Sequence, residues 1–242
     1  HNGESFYTYF DLVNIPKLNS IDDIPADATI HPKVWEGKLK LPYTREMGLT
    51  TELGQLTDQE FNADVIVASS NGYRLSYSDL QFFANVFRVI DQRIISKVVE
   101  KQKKFDLRNK IGIHLRGTDR ATKVDKSHRM AGINIRMVTA GMLNKSKFVA
   151  VSDDREFLAM WKNRYPDFPV LTEIEAISGT KGVHQLTKNE VGVPKDLLNV
   201  DLLVDFFSLG SCRNIISTSK DSRFANNSKK LGKFIDKMFL PI

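Results

Sequence analysis

The run Lys110-Ile111-Gly112-Ile113-His114-Leu115-Arg116-Gly117-Thr118-Asp119 ends an apolar stretch in three side chains able to do chemistry, His114, Arg116 and Asp119. Arginine is the side chain best shaped to hold a phosphate, because its planar fork donates paired hydrogen bonds and keeps its charge. Two later stretches end in the same manner: Phe148-Val149-Ala150-Val151 in Ser152-Asp153-Asp154, and Asn214-Ile215-Ile216 in Ser217-Thr218-Ser219-Lys220-Asp221-Ser222-Arg223. A carboxylate only accepts hydrogen bonds, so Asp153 or Asp154 suits a ribose hydroxyl or a nucleobase N–H. Either one would serve equally as the cap of the helix that follows. The hydroxyl-rich basic turn before the last helix suits a phosphate, since helix N-terminal N–H groups and the dipole both favour an anion.

Elements must bring these ends together. From residue 110 the pattern repeats strand then helix: strands over Ile111–Leu115, Phe148–Val151, Pro169–Leu171 and Asn214–Ile216, with helices near 133–143, through Trp161, over Leu197–Leu209 and over Ser222–Phe239. Such alternation predicts an α/β fold, a parallel sheet covered by helices on both faces. In a parallel sheet all strand C-terminal ends lie on one edge, where ligands of open α/β sheets bind. Upstream, Leu80, Phe83, Phe87, Ile90, Ile94 and Val98 recur at three and four, which predicts one long amphipathic helix. It would start at Ser76 or Ser78 and end near the Lys101–Lys104 run. Asp64–Ala68 reads as a buried strand before a Ser69–Gly72 turn. Pro16, Pro25, Pro32 and Pro42 exclude a long helix before residue 60.

At 242 residues, 41% hydrophobic and 26% charged, the chain has the make-up of an ordinary globular protein with a core. Net charge +6 and a pI near 9.3 favour anionic ligands. The Lys and Arg residues are scattered, without the aromatic-interleaved basic patch of a single-strand binder, so nucleic acid is not expected as a partner. One cysteine, Cys212, excludes an intrachain disulfide and a cysteine-based zinc site, and it reads as a packed thiol. No apolar run reaches the ~20 residues of a membrane span. A cytoplasmic location is expected, or a soluble luminal domain if an upstream anchor has been trimmed, since His1 is not an initiator.

The three stretches together resemble the fucosyltransferase superfamily of GT-B fold, which includes core α1,6-fucosyltransferases, nodulation fucosyltransferases and protein O-fucosyltransferases. His114-Leu115-Arg116-Gly117-Thr118-Asp119 is similar to its H-x-R-x-x-D motif. Val151-Ser152-Asp153-Asp154 with Arg164-Tyr165-Pro166 resembles its A-T-D-D strand and K-x-Y-P helix end, and Asp205 through Ser219 resembles its third motif. Order and spacing agree over roughly residues 80–235.

The resemblance implies two Rossmann-like halves, with residues 1–105 on the acceptor side and 106–242 binding a nucleotide-sugar donor. It implies inverting, metal-independent transfer from a GDP-fucose-type donor to a glycan or protein hydroxyl, without a cofactor. Arg116 would bind the diphosphate and stabilise the departing nucleotide, a role worth ~3–4 kcal/mol of barrier. His114 and one of Asp153 and Asp154 would contact the nucleobase or ribose. Thr218, Ser219, Lys220 and Ser222 would cradle the phosphates, and Asp205 would hold that motif in place. Asp119 or Asp125, on the loop after the first motif, would be the general base. Core α1,6 enzymes carry a second Arg where this chain has Gly117, and the first 80 residues match no motif. A UDP-sugar such as UDP-xylose, or a nucleotide-binding module without catalysis, are the alternative readings. His31, His128 and His184 pair at no metal-ligand spacing, though the Ser178–Gly182 loop would let His184 reach the donor.

Overall fold

Short apolar runs near the start form strands β1 (Phe10–Leu12), β2 (Ile30–His31) and β3 (Val65–Ile66). A computed structural model describes residues 5–15, 17–18, 20–41, 62–67, 77–117, 123–139, 147–174 and 192–241. The Ser69–Gly72 turn, Ser76, the Ser178–Gly182 loop and His184 lie outside the described residues. Contacts divide the chain into residues 14–82 and a larger unit of residues 1–13 with 83–242. In the smaller unit β2 and β3 pair in parallel, Ile30 opposite Val65. Ahead of that ladder the Asp64 carboxylate accepts the Thr29 N–H at 2.9 Å and its hydroxyl at 2.7 Å.

The helix expected over Leu80–Val98 is two helices with a strand between them. Helix α1 (Tyr77–Val86) gives way to β4 (Phe87–Val89), which pairs antiparallel with β1, Phe10 opposite Val89. Helix α2 (Gln92–Phe105) then starts at Asp91, whose carboxylate accepts the Arg93 N–H at 2.8 Å. All three residues of β4 are buried, Phe87 and Val89 as strand formers prefer and Arg88 with its guanidinium donating to the Ala84 and Phe87 carbonyls. Spacing alone does not separate such a buried strand from a turn of helix. Helix α2 packs on a later helix within the larger unit.

That larger unit is built on a parallel sheet in which β5 (Ile111–Leu115) lies between β6 (Phe148–Ser152) and β7 (Asn214–Ser217). All residues of β5 and β6 are buried, which only a sheet covered on both faces allows. Helices α3 (Lys123–Thr139), α4 (Arg155–Arg164), α5 (Lys195–Gly210), α6 (Arg223–Leu231) and α7 (Ile235–Met238) complete the order. Ile111, Ile113 and Leu115 pack with Met130, Ile133 and Met137 of α3 and with Phe157, Leu158 and Trp161 of α4. On the other face Val149 and Val151 pack with Leu209, Cys212 and Ala225. Each such fully buried side chain contributes roughly 1.5–3 kcal/mol against exposure.

Gly112 faces α5, and a Cβ there would lie 2.4 Å from Leu209 Cδ1. A glycine is what lets α5 approach β5. Burial pushes the neighbouring Cys212 thiol up to about 12, so it behaves as a packing group. The strand expected over Pro169–Leu171 is a single bridge, Val170 to Ala150. The last expected helix is bent into α6, a 3-10 turn at Gly232–Phe234, and α7.

Candidate functional site

The register sets the site. His114 lies opposite Val151 on one side and Ser217 on the other, so the ends of β5, β6 and β7 meet at one edge. There His114, Arg116, Val151, Ser152, Asp153, Leu202, Asp205 and Phe224 line a cavity of about 200 Å³.

Arg116 leaves β5 with its backbone N–H donating to Thr218 Oγ1 at 2.8 Å. Its guanidinium donates to Asp153 Oδ2 at 2.6 Å, and the Gly117 N–H reaches Asp153 Oδ1 at 3.3 Å. Asp153 therefore aims the arginine at the cavity wall. His114 is 2% exposed, its Nδ1 lies 3.0 Å from Ser217 Oγ, and its ring stacks on Phe224 at 5.3 Å between centroids. Desolvation, then the Arg116 charge, pushes its pKa down to about 3, so the imidazole is neutral.

Asp205 comes from α5, one turn after Leu202, and its side chain closes the cavity from the helix side. One carboxylate oxygen accepts the Thr172 hydroxyl, while Oδ1 is buried with no partner among the described residues. Burial first, and then repulsion from Asp201 one turn earlier, raise the Asp205 pKa.

The remaining expected residues divide by position. Asp154 is fully buried and lies off the cavity. It caps α4 through the Phe157 N–H at 2.8 Å and pairs with Lys126 Nζ at 2.9 Å. A Cβ on residue 117 would come within 2.7 Å of Asp154, so this packing requires glycine there. Thr218, Ser219, Lys220 and Ser222 follow β7 as expected, but none lines the cavity. Thr218 supports Arg116, Ser217 Oγ accepts the Ser219 N–H, Lys220 is exposed, and Ser222 caps α6 through the Ala225 N–H at 3.3 Å. Asp125 is exposed in the first turn of α3 and is not among the lining residues, and Asp119 lies outside the described residues.

Sequence reasoning passed over several contributors. Leu202 and Phe224 read as ordinary helical apolar residues, and nothing in the pattern marks them as cavity walls. Arg129 and Arg136 of α3 donate to the Arg116 and Ser217 carbonyls, each at 3.1 Å, tying two strand ends to one helix. Thr172 carried a usable signal, since it directly follows the apolar run 169–171 and so falls at the same sheet edge. Among the described residues no group of three His, Cys, Asp or Glu side chains is arranged to hold a metal, and no helix is long and apolar enough to cross a membrane.

The chain has a GT-B fold, and the ends of its parallel strands enclose a cavity with an arginine, a histidine and carboxylates. It is similar to the NodZ α1,6-fucosyltransferase soaked with GDP-fucose, at TM-score 0.64 and 16% identity, covering 93% of this chain and 75% of that one. The same enzyme co-crystallised with GDP gives 0.62 and 15% over 93% and 74%, and NodZ from Bradyrhizobium 0.62 and 17% over 93% and 75%. No family model matches the chain, and no curated protein matches it significantly in sequence.

Proposed function

We propose that the chain is an inverting glycosyltransferase that works without a metal and takes a sugar from a GDP-fucose-type donor to a glycan or protein hydroxyl. The observation that carries the proposal is Arg116, held by Asp153 and Thr218 at the mouth formed by three parallel strand ends. Solved structures of the same fold were soaked with GDP-fucose and co-crystallised with GDP. Residues 106–242 serve the donor, and residues 1–105 the acceptor.

The acceptor oxygen bonds to the anomeric carbon as the bond from that carbon to the phosphate oxygen breaks. The electron pair leaves with the nucleoside diphosphate. Arg116 stabilises that developing charge, assisted by the Thr218, Ser219, Lys220 and Ser222 turn at the start of α6. The acceptor proton passes to a carboxylate, Asp119 or Asp125. His114, neutral, and Asp153 contact the nucleoside; Asp154 supports that strand end through its cap and ion pair.

Asp205 favours guanine as the base. Its Oδ1, without a partner among the described residues, only accepts once the carboxyl ionises on binding, and guanine offers two adjacent donors, N1–H and the 2-amino group, where uracil offers one. Calorimetric titration with GDP and UDP, without added metal, tests the reading. GDP should bind, UDP more weakly, and Arg116→Ala should lose binding and all transfer while melting like the wild type. Turnover near wild type in Arg116→Ala, or failure of both nucleotides to bind, removes the donor-site assignment.

A further inference from the structure

Where β6 ends, the ladder with residues 169–171 changes partners. The Ala150 N–H donates to the Pro169 carbonyl at 2.9 Å and the Leu171 N–H to the Ala150 carbonyl at 2.8 Å, as two parallel strands should. The next rung would run from the Ser152 N–H to the Leu171 carbonyl. That carbonyl instead accepts the buried Lys101 ammonium at 2.5 Å, and the Ser152 N–H goes to Thr172 Oγ1 at 3.1 Å. A hydroxyl stands in for a ladder carbonyl, and unlike a carbonyl it has a proton to pass on. Its alternative acceptor, the Ser152 carbonyl, is at 3.4 Å, whereas the Asp205 carboxylate is in close hydrogen-bond contact. The proton goes to Asp205 Oδ2.

We propose that Thr172 is a positioning residue for the cavity carboxylate: held by the Ser152 N–H, it binds Asp205 Oδ2 and so presents Oδ1 to the ligand as an acceptor. The role follows from counting. Thr172 has one proton, the Ser152 N–H occupies one of its lone pairs, and Asp205 Oδ2 takes that proton. Oδ1 is then the carboxylate oxygen with no partner among the described residues. A hydrogen bond from Thr172 favours the ionised carboxylate, against the burial and the Asp201 charge that together raise its pKa to about 8. The other groups acting on Asp205 are Asp201 on its own helix, Lys101 from α2 and Glu173 after Thr172, while His114 and Arg116 share the cavity lining with it. Asp201 is itself tied down, accepting the Ile174 N–H at 3.1 Å. The bridge through Thr172 is a neutral contact, and it can be altered without changing net charge.

The inference rests on the nucleotide-site reading only for the identity of the ligand, and the test separates the two. In the ligand-free protein the Asp205 side-chain carboxyl is followed by carbon NMR against pH in wild type, Thr172→Val and Thr172→Ser. Loss of the donor raises the Asp205 titration midpoint in the Val variant, and Ser returns it to the wild-type value. An unmoved midpoint in Val, or one that Ser fails to restore, overturns the proposal. Should Val not fold, Thr172→Cys carries the same test, because a thiol is a far weaker donor. GDP affinity is then measured on the same proteins. It should fall about ten- to hundredfold in Val, the usual worth of one hydrogen bond to a charged group, and recover in Ser. Unchanged GDP affinity in a Val variant whose midpoint has moved overturns the ligand-facing role of Oδ1. A wild type that titrates as expected but binds no GDP supports Thr172 as the positioning group and removes the nucleotide reading alone.

Discussion

Burial at the end of β5 brings the His114 imidazole down from 6.5 to about 3, chiefly by desolvation and then by the Arg116 charge. Between those two pH values the unfolded chain carries a proton on this side chain and the folded chain does not. Stability contributed there is present above about 6.5 and is lost as the pH falls towards 3. Each pH unit in that window costs up to about 1.4 kcal/mol. Urea unfolding from pH 7 to pH 4 should therefore show a steeper loss of stability in wild type than in His114→Asn, which cannot titrate there. Parallel slopes would mean that His114 is protonated in the folded protein. At this scale the sequence was most readable where side chains leave the sheet. His114, Arg116 and Asp153 stand at strand ends, and an end is set by the same apolar runs that mark the strand. Phe224, which stacks on His114, lies in a helix whose facing partner no local pattern reveals.

Two helices and a strand end are joined by one buried ammonium. Lys126 on α3 reaches both Asp154 oxygens and the Glu156 carboxylate at the start of α4, with Lys126 at 5% and Asp154 at 0% side-chain exposure. Burial lowers the ammonium's pKa, and the hydrogen bonds and charges of Glu156 and Asp154 outweigh it, so the net shift is upward. Removing one partner of such a pair leaves the other buried and uncompensated, a loss of about 3–5 kcal/mol. Lys126→Met should lower stability by that amount in denaturant unfolding. Glu156→Gln, at the partly exposed end, should change it by less than about 1 kcal/mol. Equal effects from the two would place the charge network at the surface. Lys126 was illegible because a single lysine in a polar stretch reads as solvated, and its partners lie about thirty residues away in the chain. The broken helix over 80–98 was misread for a different cause: Phe87 and Ile90 satisfy the helical spacing and also sit in a run that suits a strand. Its partner, Phe10–Leu12, is far off in sequence.

On the scale of the whole chain, every residue lining the cavity belongs to the unit of residues 1–13 and 83–242. The repeating strand–helix pattern made that unit readable, because each parallel crossover puts helix between successive strands. Residues 14–82 lack such a period, and their short ladder, Ile30–His31 with Val65–Ile66, joins segments about thirty-five residues apart. If donor binding resides in the larger unit, loosening the smaller one should leave nucleotide affinity alone. Asp64 offers the handle. It accepts two hydrogen bonds from Thr29, its N–H donates to Thr29 Oγ1 at 2.9 Å, and its pKa is lowered first by the Thr29 backbone N–H. Asp64→Ala removes the side-chain acceptor for both Thr29 donors beside the ladder. GDP affinity by calorimetry should stay within about twofold of wild type, less than half a kcal/mol, while transfer to the acceptor falls. A tenfold loss of GDP affinity would put part of the donor site in residues 14–82 and end the assignment of donor and acceptor to separate parts of the chain.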